Sequence, residues 1–274
     1  MKRITVPRSD VTLSGVTGGR GDLVLLLHGL AGSAAEMVPL GQALGTRFVA
    51  LDQRGHGLST RRPPDLSRQA FVDDAAAVLA GEPAWVVGQS MGAHTAMLVA
   101  ASIEVKGLVM ISGGVGGSTD DYPKRLGAWF AGWPVPFADE AAAAAFLGDR
   151  AITAAWVADL EPRPDGLYPR FDADVLEAIM RPVADEARWD AWDRITAPTL
   201  VIRGGNDDSD AGELARMADR ATIEVIPGAG HDVHLEKREP TARLIRQFID
   251  GCWARPPRGC APPSPDPSAP RTPG

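Results

Sequence analysis

Cysteine is nearly missing from this chain: 274 residues hold two, Cys252 and Cys260, both near the C-terminus. That rules against a disulfide framework or a thiolate metal cage, and it predicts a cytoplasmic setting in which the core stands on packing alone. Basic clusters are equally scarce. No run of Lys and Arg exceeds a pair such as Arg61-Arg62, and 35 Asp and Glu against 28 Lys and Arg give a net charge of −7. A nucleic-acid partner and a polyanionic substrate are therefore not expected. Long apolar runs are missing too. Glu104 and Lys106 break the longest one, and Met1 to Asp10 is polar with no apolar segment behind it, so neither a membrane span nor an export signal is expected. What is present is 45% hydrophobic content, ample for one large α/β domain or two small ones, which excludes disorder throughout.

Apolar runs and helical periods alternate along most of the chain. A hairpin is expected from Ile4 onward, with Val11 to Ser14 as a weak strand and Gly15 to Asp22 as turn. Leu23 to Leu27 is unbroken and apolar, as strands buried on both faces are, Phe48 to Leu51 and Trp85 to Val87 read as further buried strands, and Leu108 to Ile111, Leu200 to Arg203 and Ile223 to Ile226 read as strands. Ala34 to Leu44, Gln69 to Leu79, Ala93 to Ala100, Glu213 to Asp219 and Thr241 to Ile249 have helical spacing between them. Such alternation predicts parallel βαβ units in a doubly wound, mostly parallel sheet. The rhythm stops between Val115 and Trp192, where no strand candidate occurs and five of the seven tryptophans lie on alanine-rich helical segments. An inserted helical cap over 115–192 is the expectation, with a core formed by 1–114 and 193–253. Pro162, Pro164, Pro169 and Pro182 should divide the cap into short helices. Within it Trp129, Trp133 and Trp156 are candidates to line a substrate pocket, although a helical subdomain would want the same residues for its own core. Residues 254–274 are dense in proline and poor in large apolar side chains, which predicts a disordered tail.

The chain is organised around Trp85-Val86-Val87-Gly88-Gln89-Ser90-Met91-Gly92, where a strand meets a helix. Glycines two residues either side of Ser90 permit an abrupt turn that would lift its hydroxyl clear of the sheet at a helix N-terminus, the position of a nucleophile. A serine hydroxyl needs a base, and a third group to orient that base. Of the five histidines, His231 lies in a loop directly after the strand Ile223 to Ile226, where open α/β sheets place their chemistry. His28, His56 and His94 have structural explanations. A His-x-x-His metal reading of His231 and His234 finds no matching carboxylates, so no metal is expected. The third group should be a carboxylate at another strand end. Asp207 after Leu200 to Arg203 is the choice, with Asp208 as its rival and helix capping as the alternative use of both.

Ser90, Asp207 and His231 in that order, with His28-Gly29-Leu30-Ala31-Gly32-Ser33, Asp52-Gln53-Arg54-Gly55-His56-Gly57-Leu58-Ser59 and Gly88-Gln89-Ser90-Met91-Gly92, resemble the α/β-hydrolase fold superfamily over roughly Leu23 to Ile249. The resemblance implies an oxyanion hole made by the backbone N–H groups of Leu30 and Met91. It also implies acyl transfer to water without a cofactor, on carboxylic esters of small to medium apolar molecules. The superfamily also holds C–C bond hydrolases, lactonases and lyases built on the same three groups, which gives the alternative activity. A ligand receptor with vestigial turnover is the remaining expectation.

Overall fold

The computed structural model describes residues 1–118, 120–208 and 210–253. The chain opens with β1 (Lys2–Pro7) and β2 (Thr12–Gly18), then alternates through β3 (Leu23–Leu27), α1 (Ala34–Leu44), β4 (Arg47–Asp52), α2 (Arg68–Leu79), β5 (Trp85–Gln89), α3 (Met91–Ser102) and β6 (Gly107–Ile111). A helical stretch with a small hairpin follows: α4 (Tyr122–Ala131), α5 (Glu140–Leu147), α6 (Ala151–Ala158), β7 (Glu161–Arg163), β8 (Gly166–Tyr168), α7 (Ala173–Ala184) and α8 (Trp189–Arg194). The alternation then resumes with β9 (Thr199–Gly204), α9 (Ala211–Ala218), β10 (Thr222–Ile226), α10 (Val233–Glu236) and α11 (Arg238–Trp253).

One 8-stranded sheet runs in the order β1-β2-β4-β3-β5-β6-β9-β10. Strands β4, β3, β5, β6, β9 and β10 are parallel, and β1 and β2 are antiparallel additions at one edge. Both faces are covered, as the unbroken apolar strands require. Leu25 and Leu27 of β3 pack with Val72 and Leu79 of α2 and with Ala93 and Met97 of α3. Val24 and Leu26 turn the other way, onto Met37 and Leu40 of α1 and Ala242 and Ile245 of α11. The doubly wound sheet with an inserted helical cap expected from the sequence is what the chain forms, and the insertion falls between β6 and β9, which are neighbours in the sheet.

Three local features differ from the sequence reading. Gly15 is strand rather than turn: β2 runs on to Gly18 against β4, and a Cβ at Gly15 would lie 2.8 Å from the Ala50 carbonyl oxygen, so close a backbone approach requiring glycine. The insert carries strands after all, in the three-residue hairpin β7–β8, whose shortness and whose Pro162 hide it from any periodicity. Pro182 does not end a helix but sits in the last turn of α7, where only the bond donated by its own missing N–H is lost. The proline-rich stretch 254–274 lies outside the described residues.

The segment after β4 is structural. Arg54, 1% exposed, donates Nε and Nη2 to the two carboxylate oxygens of Asp74 on α2 (2.7 and 2.8 Å). Asp52 accepts the Ala34 N–H at 2.7 Å and so anchors the start of α1. His28, fully buried, takes the Gln53 N–H on Nε2 (3.0 Å) and faces the Gly29 carbonyl with Nδ1 (2.7 Å). These bonds fix the loop that leaves β3.

Candidate active site

Ser90 stands between β5 and α3 with φ 52° and ψ −117°, a conformation that L-residues rarely adopt. The turn is too tight for side chains around it. A Cβ at Gly88 would lie 2.1 Å from the Gly92 oxygen, and one at Gly92 would lie 2.2 Å from the Leu27 oxygen. The Ser90 N–H is spent on the Ile111 carbonyl (2.9 Å). The Met91 N–H heads the first turn of α3, among the donors that have no partner within the helix. The loop after β3 passes directly alongside: a Cβ at Gly29 would lie 3.5 Å from that of Ser90. Leu30 and Ala31 follow in this loop, Ala31 with φ 61°.

Strand ends β9 and β10 bring in the other two groups. The turn after β9 is stitched to the loop after β10 by Gly205 N–H to the Ile226 carbonyl and Asn206 N–H to the Ala229 carbonyl, both 2.9 Å. Asp207 then points its Oδ1 at His231 Nδ1, 3.1 Å away. Burial alone would raise the Asp207 carboxyl, but the His231 contact, the nearby Ser112 hydroxyl and Arg203 outweigh it and hold the pKa below the usual carboxylate value. Arg203 Nη1 lies 3.7 Å from the second oxygen. Burial pulls His231 down, and the bond and charge of Asp207, with help from Asp232, outweigh it, so the imidazole titrates above its ordinary value. The side chain of Gln89, the residue before Ser90, donates to the His231 carbonyl at 3.3 Å, which ties the histidine loop to the serine turn. Three distant segments are thus brought to one edge of the sheet.

Asp208, the rival carboxylate, is exposed, and the turn that presents Asp207 to His231 carries its neighbour outward. His234 does not share a site with His231. It is buried and meets Glu36 of α1 through Nε2 at 2.8 Å, so the two imidazoles serve different carboxylates. Among the described residues no group of three or more His, Cys, Asp and Glu is placed to hold a metal ion.

Three of the insert's five tryptophans form one aromatic cluster, while Trp189 and Trp192 pack with the core of the sheet. Ring centroids of Trp129 and Trp133 are 5.5 Å apart, Trp133 and Trp156 5.5 Å, Trp129 and Trp156 5.9 Å, with Phe130 among them. Trp133 and Trp156 line a cavity of about 10 Å³ with Ala31, Ser33, Asp159 and Arg170, room for roughly one water molecule. Trp129 is 45% exposed. The aromatic cluster therefore stands over the Leu30 loop, and the apolar wall at Met91 comes from elsewhere. Val175, Ile179, Met180 and Val183 of α7 pack with Met91, Phe71 and Leu30. The sequence reading missed this wall, although α7 carries a strongly one-sided apolar face that would have pointed to it. It also missed Gln89 and Arg203, whose parts depend on contacts across strands.

A family model described as "Alpha/beta hydrolase family" matches residues 24–244. Over 267 residues the chain is 30% identical to a 2-(acetamidomethylene)succinate hydrolase of Mesorhizobium japonicum, covering 91% of this chain and 95% of that protein. It is 28% identical to the esterase YbfF of Escherichia coli, covering 83% and 92%. The crystal structure of an E-2-(acetamidomethylene)succinate hydrolase superposes with a TM-score of 0.82 at 27% identity, over 91% of this chain and 99% of that one.

Proposed function

The chain belongs to the alpha/beta hydrolase family, and on that premise we propose that it is a serine hydrolase acting through an acyl-enzyme on carboxylic esters of small to medium, largely apolar molecules. What supports this most is the 3.1 Å contact between Asp207 and His231 beside the strained turn at Ser90. With Nδ1–H donated to Asp207, Nε2 keeps its lone pair for the Ser90 proton. Ser90 Oγ attacks the ester carbonyl as His231 takes the proton. The tetrahedral oxyanion is received by the N–H groups of Leu30, in the loop after β3, and of Met91, at the start of α3. His231 then returns the proton to the leaving alcohol, and water releases the acid from Ser90 by the same steps reversed. No metal or organic cofactor takes part in this scheme.

The insert 115–192 acts as a cap on the core. Trp133 and Trp156, packed over the Leu30 loop, give an apolar lining together with the α7 wall at Met91. Steady-state assays with p-nitrophenyl acetate, butyrate and octanoate test the proposal. Turnover with a preference for short acyl chains supports it. Turnover confined to β-diketones would favour the C–C hydrolase alternative, and none on either class would leave a ligand receptor.

The pH profile gives a further check. His231 accepts a proton only when neutral, and its pKa is raised in the folded protein, so kcat/KM is lost as pH falls through a value above the ordinary histidine pKa of about 6.5. Because Asp207 is what raises it, Asp207→Asn should move that acid limb to lower pH. A limb unchanged in the variant would detach the two residues.

A further inference from the structure

We propose that the junction between the inserted segment and the core binds a small monovalent carboxylate, seated on the guanidinium of Arg68 with Thr95, His94 and Arg188 around it. The chain leaves the core after β6 and returns before α8 at one narrow neck. There Gly117 N–H meets the Val183 carbonyl (2.9 Å), Ser118 N–H the Ala184 carbonyl (2.8 Å) and Arg188 N–H the Val115 carbonyl (2.8 Å). Gly116, at φ 85°, sits in the crossing, and a Cβ there would lie 2.4 Å from the Val183 oxygen and 3.1 Å from His94 Nε2. His94 and Thr95 belong to the first turns of α3, and Arg68 begins α2.

Arg68 is 5% exposed and lies over the Phe71 ring, 4.4 Å from its centroid. Its Nη2 donates to the Thr95 hydroxyl, which in turn donates to the Met91 carbonyl at 3.1 Å. The Nε and Nη1 atoms are buried and meet no hydrogen-bond partner among the described residues, and the same holds for Nε of Arg188. Burial, and after it the like charge of Arg188, pushes the guanidinium down to about 9, still cationic at neutral pH. Burial and the same two arginines hold His94 well below its ordinary value, against a backbone contact with Val115 that raises it, so the ring is neutral and adds no counter-charge to Arg68. Arg188 is already paired through Nη1 with the exposed Glu186 (2.8 Å).

The contrast with Arg54 is instructive, since that equally buried arginine is met by Asp74, Asp10 and the Asp65 carbonyl. Taking a cation out of water without a counter-charge is expensive, and leaving its N–H groups unmet adds to the cost. A carboxylate answers both. One negative charge balances the one unpaired guanidinium, while the apolar surroundings of Phe71, Met91 and Val183 disfavour a dianion. The carboxylate has two possible sources, a free acid or an acid group on the substrate itself.

The inference does not rest on the role of Ser90, so the test uses Ser90→Ala beside the wild type. Thermal unfolding of the full chain is followed in low-salt Hepes as potassium acetate is raised to about 100 mM, with Arg68→Met and Arg188→Gln in parallel. Acetate should raise the Tm of wild type and of Ser90→Ala by about 3 °C or more, less in Arg188→Gln and not in Arg68→Met. In acetate-free buffer Arg68→Met should melt no earlier than wild type, because it removes an unpaired buried charge. An equal acetate response in Arg68→Met, or none in any protein, overturns the site. Should Arg68→Met fail to fold, calorimetric titration of acetate into Ser90→Ala and into Ser90→Ala/Arg188→Gln decides: equal heats and affinities, or no binding, overturn it. Hydrolysis of monomethyl succinate against methyl butyrate separates the sources. A substrate carboxylate predicts that Arg188→Gln raises KM for the succinate ester alone and that acetate competes; a free acid predicts stabilisation without competition.

Discussion

Ser90→Ala should lower kcat by about 10⁶-fold while leaving the fold intact, the largest effect expected of any single substitution in this chain. The loss is that large because the three groups act as a unit: without the hydroxyl, neither the imidazole nor its carboxylate has a proton to move. Residual hydrolysis of about 10³-fold over water would come from the Leu30 and Met91 N–H groups and from binding. KM should change little, since the hydroxyl contributes to bond making rather than to holding the substrate. Folding should survive as well. Ser90 pays for its positive φ with strain that alanine shares, and its side chain makes no capping hydrogen bond that would be lost. Steady-state kinetics with p-nitrophenyl butyrate, together with circular dichroism, check both halves. A variant keeping more than a tenth of wild-type kcat would remove Ser90 from the chemistry.

Asp207→Asn should cost about 10³ to 10⁴-fold in kcat, and Asp208→Asn less than about 3-fold. The two residues are adjacent, both acidic and both in the turn after β9. What separates them is that Asp207 meets His231 at 3.1 Å, with Arg203 steadying its other oxygen, while Asp208 faces solvent. A carboxamide at 207 can still accept the Nδ1 proton, but it has no charge with which to stabilise the imidazolium that forms during attack. A 10⁴-fold loss corresponds to about 5 kcal/mol of transition-state stabilisation, in keeping with a charge-assisted bond in a half-shielded site. Activity preserved in Asp207→Asn and lost in Asp208→Asn would transfer the part to the neighbour.

The centre of the sheet was legible because β3, β5, β6 and β9 are buried along their whole length. Leu23 to Leu27 and Ala34 to Leu44 appear in the structure with the limits read from the sequence, since the strand ends at His28-Gly29 and the helix at Gly45. Gly15 misled, because a glycine inside a strand and a glycine in a turn look alike until the neighbouring strand is known. The hairpin at Glu161 to Tyr168 is too short and too polar to announce itself.

In the candidate site, positions that follow a strand end could be read: Ser90, Asp207 and His231 each lie within five residues of the end of a strand. Partners that act across the sheet could not. Gln89 reaches the His231 carbonyl and Arg203 sits beside Asp207 only because β5, β9 and β10 lie in one sheet. The tryptophans stand out because five of the seven fall in the insert, whereas the wall at Met91 is made of the commonplace Val175, Ile179 and Met180.

A fluorophosphonate ester tests the central claim most directly, because it reacts only with an oxygen made nucleophilic by a neighbouring base. After incubation and tryptic digestion, mass spectrometry should locate one adduct, on Ser90, formed rapidly in the wild type and at least about 100-fold more slowly in His231→Ala. Ester hydrolysis by a protein whose Ser90 stays unlabelled, or labelling of Ser90 that is indifferent to the loss of His231, would contradict it.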